Sequence, residues 1–82
     1  MKGNYKFQEL MNYFKNQSSE NITLTYEEIE KICGFKLCES AYKYEPYWAY
    51  SKTHTVTKAW IENGYKVNEV KLGKYINFVK II

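Results

Sequence analysis

The sequence contains no arginine, no aspartate and a single histidine, His54. Without arginine the chain lacks the planar, five-donor fork best suited to bidentate guanine or phosphate recognition. One imidazole and no aspartate also leave little for a catalytic triad, so enzymatic activity is not expected. No glycine-rich phosphate loop, H-E-x-x-H or G-x-S-x-G occurs. The two cysteines, Cys33 and Cys38, are too few for a disulfide-stapled scaffold. With only His54 beside them they fall short of the four ligands of structural zinc. Free thiols in a reducing cytoplasm fit better, with no metal and no cofactor. No apolar run approaches the ~20 residues of a membrane helix. The start, Met1-Lys2-Gly3-Asn4-Tyr5-Lys6, has charge without a following apolar stretch, so secretion is not indicated and a cytoplasmic location is expected.

What is present is the composition of a folded chain: 82 residues, 45% hydrophobic, 18% aromatic and 26% charged, enough for one domain spanning 1–82. The Lys, Glu, Asn, Tyr and Ile bias resembles an AT-rich bacterial or phage coding sequence. Net charge is +3, unevenly spread: residues 1–34 hold four Lys and five Glu, and residues 35–82 hold eight Lys and four Glu. An anionic partner should therefore meet the second half.

Phe7, Leu10, Met11 and Phe14 recur at helical spacing and predict a helix over about Tyr5–Asn16. Asn21–Thr25 alternates and predicts a short strand. Thr25-Tyr26-Glu27-Glu28 is a capping box opening a helix that buries Ile29, Ile32 and Cys33 and stops at Gly34. Glu39–Lys43 fits a helical turn, and Pro46 argues against continuous helix among Tyr42, Tyr44, Tyr47, Trp48 and Tyr50. A third helix is predicted from Ser51 or Thr53 to Glu62, with Val56, Ala59 and Trp60 inward. Strands follow over Tyr65–Leu72 and Tyr75–Ile81, joined at Gly73-Lys74 by a type II′ turn. Inward positions shift from Tyr65 and Val67 to Val70 and Leu72, which places a bulge at Asn68-Glu69.

This order implies an α+β, winged-helix-like fold: three helices, a small three-stranded antiparallel sheet and a C-terminal hairpin. Helix-turn-helix connections usually take three to four residues, and the Gly34–Tyr50 segment is longer. The fallback is a generic α+β domain with helices on one face of the sheet.

In a winged helix, Lys52, His54, Thr55 and Lys58 on the 53–62 helix would meet the major groove, with Lys74 on the wing. Lys52 and Lys58 suit phosphates, and His54 and Thr55 suit base edges. An ordinary solvated helix face explains the same residues, and edge lysines also block aggregation. Tyr44, Tyr47, Trp48 and Tyr50 could stack on bases or anchor a protein partner, although aromatic core is the simpler reading.

From Ile22 to Val67 the chain resembles an uncharacterised family of small bacterial and phage domains. The stretches that carry the likeness are Leu24-Thr25-Tyr26-Glu27-Glu28-Ile29, Leu37-Cys38-Glu39-Ser40-Ala41, Tyr47-Trp48-Ala49, His54 and Ala59-Trp60-Ile61-Glu62-Asn63-Gly64-Tyr65. Tyr47 and Tyr65 stand where the family pattern has tryptophan, and Tyr50 where it has asparagine. The resemblance implies a shared fold and carries no activity. It singles out Trp48, His54 and Trp60.

The expectation is a non-enzymatic nucleic-acid-binding module for duplex DNA, a small regulator or accessory protein without membrane contact. A homodimer would be needed for ordinary affinity at this charge. The alternative is a protein-interaction domain, a host-factor inhibitor or adaptor, using the Tyr42–Tyr50 surface.

Overall fold

Leu10 and Phe14 lie one helical turn apart and both turn inward, fixing the face of helix α1, Gln8–Lys15. The computed structural model, which describes residues 5–49 and 55–81, starts this helix later than the spacing predicts. Tyr5–Phe7 instead form a turn closed by the Gln8 N–H on the Tyr5 carbonyl at 3.0 Å, and no side chain caps α1. Strand β1, Asn21–Thr25, alternates as expected, with Ile22 and Leu24 inward.

Helix α2, Tyr26–Cys33, opens on the capping box read from the sequence. The Glu28 N–H donates to Thr25 Oγ1 at 3.1 Å, and the Thr25 N–H donates to the Glu28 carboxylate at 2.8 Å. Gly34, at φ 85°, ends it in a left-handed conformation that costs glycine little. Helix α3 is the short Glu39–Lys43 segment, followed by a 3-10 turn at Glu45–Trp48. Pro46 sits in the first turn of that 3-10 segment, where its missing N–H breaks no bond.

The start of the helix predicted from Ser51 or Thr53 to Glu62 lies outside the described residues, and from Thr55 onward only one turn of it is α-helical. A 3-10 turn at Thr55–Thr57 leads into helix α4, a single α turn at Lys58–Ile61. Thr55, Val56 and Thr57 are β-branched and lose side-chain freedom in a helix, and Thr57 makes no side-chain cap. The inward spacing of Val56, Ala59 and Trp60 survives because a 3-10 turn followed by an α turn keeps them on one side.

Strands β2, Tyr65–Lys71, and β3, Tyr75–Lys80, form an antiparallel hairpin, and β3 pairs on its other side with β1, giving the order β1-β3-β2. Val67 opposes Phe78 and Glu69 opposes Asn77, so Asn68 is the extra residue of a bulge. The turn differs from expectation. The Lys74 N–H closes on the Lys71 carbonyl at 2.8 Å, making Leu72 and Gly73 the central residues. The positive φ, 76°, falls on the second of them, as a type II turn requires and a type II′ turn does not.

The helices cover the inner face of the sheet. Phe14, Trp60 and Phe78 meet at its centre, with ring centroids 4.7 Å apart for Phe14–Phe78 and 4.9 Å for Trp60–Phe78. Full burial of such a side chain stabilises by ~1.5–3 kcal/mol each. No helix of the described residues is long and apolar enough to cross a membrane.

Candidate functional site

The bulge at Asn68 decides what the outer face of the hairpin presents. Side chains alternate along a strand, so positions 66 and 71 would ordinarily point to opposite sides. With the inserted residue, Lys66 opposes Val79 and Lys71 opposes Tyr75, both on the outer face. Lys74 lies at the exposed tip. Asn77, only 8% exposed, ties this face together. Its Nδ2 donates to Asn21 Oδ1 at 2.7 Å and to Thr23 Oγ1 at 2.9 Å, while its Oδ1 accepts from Asn68 Nδ2 at 2.9 Å. The bulged residue is thus held by the central strand.

Among the described residues Lys15, Lys31 and Lys36, away from the hairpin, have no carboxylate or ring at their heads, and four other lysine heads are occupied. Lys43 pairs with Glu39 at 2.6 Å. Lys58 Nζ lies 5.3 Å from the Tyr5 ring centroid, Lys6 lies 5.1 Å from that of Phe35, and Lys80 lies 5.5 Å from that of Tyr65. Among the described residues no carboxylate or ring holds Lys66, Lys71 or Lys74. Such uncommitted surface ammonium groups are what a polyanion engages.

Of the helix residues expected to read a groove, Thr55 and Lys58 fall on described elements. Lys52, His54 and Tyr50 lie outside the described residues, and Thr55 enters only as the first residue of its 3-10 turn. Lys58 is exposed, but α4 offers one turn instead of a recognition helix.

Trp48 must be withdrawn from the aromatic contact surface. It is 1% exposed, and its Nε1 donates to the Ala41 carbonyl at 3.0 Å and the Tyr26 hydroxyl at 3.1 Å. The Tyr26 hydroxyl in turn donates to the Ala41 carbonyl at 2.7 Å. Tyr47 is half-buried, and burial pushes its hydroxyl pKa up. Tyr44 remains exposed at 59%. Tyr42, on α3, donates its hydroxyl to the Glu30 carboxylate, which also accepts the Leu37 N–H at 2.9 Å. These two bonds, the Tyr42 one first, hold Glu30 below the usual carboxylate range.

An open cleft of about 540 Å³ separates the 3-10 turn at Glu45–Trp48 from β2, with Pro46, Trp60 and Val70 on its walls and Lys66 at its edge. Among the described residues no group of three His, Cys or Glu side chains could hold a metal. Cys33 is buried and Cys38 exposed, both as free thiols.

Architecture and surface together define a small α+β domain with a lysine-bearing hairpin on a three-stranded antiparallel sheet. Residues 7–81 match the family described as a domain of unknown function, DUF7662, and the chain belongs to that family. A family without assigned function is consistent with the resemblance noted between Ile22 and Val67. No curated protein and no solved structure matches it.

Proposed function

We propose that this chain is a non-enzymatic nucleic-acid-binding module of winged-helix-like fold, and that its hairpin is the part that engages duplex DNA. The observation that carries the reading is the bulge-dependent placement of Lys66 and Lys71 on one face, beside an exposed Lys74 at the tip. A hairpin that follows four helices, one more than the three expected, and pairs with an earlier strand in the order β1-β3-β2 is consistent with a wing. Its lysines supply phosphate contacts, which position a protein on DNA without reading sequence. A role as a small regulator or accessory protein follows from binding without catalysis.

Fluorescence anisotropy with random duplexes at two salt concentrations tests this. Three lysine contacts predict a slope of log K against log salt of about −3. Lys71→Glu with Lys74→Glu should weaken binding to every sequence. Absence of binding at low salt would remove the reading. One observation favours a protein partner instead: the Tyr44 ring is 59% exposed. Under that alternative a partner complex would be insensitive to salt and lost on Tyr44→Ala.

A further inference from the structure

The two edges of the sheet are unlike. On the β2 edge stand Lys66, Glu69 and Lys71 and the bulge at Asn68, the devices that keep an edge strand from pairing with another chain. The β1 edge is Asn-Ile-Thr-Leu-Thr, without charge, proline or bulge.

The hydrogen-bond phase of β1 shows which main-chain groups that edge leaves open. The Lys80 N–H donates to the Glu20 carbonyl at 2.8 Å, and the Tyr26 N–H donates to the Lys74 carbonyl at 3.1 Å. Hydrogen-bonded pairs alternate along an antiparallel ladder, so Ile22 and Leu24 direct their main-chain groups toward β3. Asn21, Thr23 and Thr25 direct theirs away from the sheet. The Thr25 N–H is taken by Glu28. Among the described residues the N–H and carbonyl of Asn21 and of Thr23 have no partner.

Leu24 of the same strand joins Tyr13 and Ile32 in an apolar groove of about 290 Å³, bordered by Glu28 and Lys31. One acid and one base on a single patch are self-complementary under a two-fold axis.

From the open edge and this groove we infer that β1 is the interface for a second copy of this chain. The two β1 strands pair antiparallel about Ile22, Asn21 of each copy opposite Thr23 of the other. That register uses all the open main-chain groups and extends the sheet to six strands. The same axis sets Glu28 of each copy toward Lys31 of the other. This interface does not depend on nucleic-acid binding.

Sedimentation velocity up to millimolar concentration, with amide hydrogen exchange, tests it. The expected result is a monomer–dimer equilibrium in which the Asn21 and Thr23 amides become protected as the dimer fills. Thr23→Pro removes no main-chain bond to β3, because the Thr23 N–H faces outward, and Asn77 keeps the Asn21 side chain and the Ile22 carbonyl as acceptors when the Thr23 hydroxyl is lost. This variant should keep the circular dichroism spectrum and weaken dimerisation at least ~10-fold by deleting two intermolecular bonds. Lys31→Glu, on the exposed face of α2, leaves β1 untouched and should also weaken the dimer. A monomer throughout would overturn the inference. So would a dimer that ignores both substitutions, or one whose Thr23 amide exchanges freely. Protection of Thr23 only on adding an extended peptide would assign the edge to a foreign strand and overturn the second-copy interface.

Discussion

Lys66 and Lys71 point to the same side of the sheet, although an unbroken strand would set them on opposite sides. Asn68 makes the difference. By adding one residue to β2, it keeps Tyr65 and Val67 inward before the bulge and Val70 inward after it. The same insertion that satisfies the core therefore brings Lys66 and Lys71 to one outer face, with Glu69 between them.

Deleting Asn68 should accordingly be far more damaging than replacing it. The deletion restores simple alternation and forces either Tyr65 and Val67 or Val70 out of the core. A fully buried Tyr65 on the wrong face predicts loss of cooperative unfolding by circular dichroism. Asn68→Ala keeps the count and loses one hydrogen bond to Asn77, a cost of about 1 kcal/mol.

Trp60 sits between Phe14, Trp48 and Phe78, and is 1% exposed. Trp60→Ala should cost ~3–5 kcal/mol, much of the stability of so small a domain. Trp48→Ala should cost a similar amount, because it also abandons the Ala41 carbonyl and the Tyr26 hydroxyl. Urea unfolding measures both. An unchanged midpoint for either would contradict the packing.

Local signals were legible where they had only one structural solution. Thr25 and Glu28 cap each other across three residues, so the β1–α2 boundary was readable from that spacing. The bulge could be found because Tyr65, Val67 and Val70 break a period of two. The 55–61 segment was harder, since inward residues at i, i+3 and i+4 suit both a long helix and a 3-10 turn with one α turn. No local pattern announces Asn77, which meets Thr23 from 54 positions away. Trp48 was ambiguous because the fold of its turn, and hence its burial, depends on Tyr26 and Ala41.

Stability should fall at alkaline pH. Burial pushes the Cys33 thiol from 9.0 up to about 11 and the Tyr5 hydroxyl from 10.0 up to about 12. Because the folded values are raised, the neutral forms contribute fully below the unfolded values, and that contribution is lost as pH climbs from about 9 through about 11 and beyond. Melting temperature should drop over that window, and Cys33→Ala should flatten the first part of the drop. Near neutral pH a thiol reagent should label exposed Cys38 and spare Cys33 until the chain unfolds.

The measurement closest to the central claim is a titration of the ¹⁵N-labelled chain with a short duplex at low salt, followed by amide chemical shifts. Phosphate contact through the hairpin predicts that the largest changes cluster at Lys66, Lys71 and Gly73–Tyr75, and that they fade as salt is added. Changes confined to the Tyr42–Trp48 segment, or none at all, would contradict it.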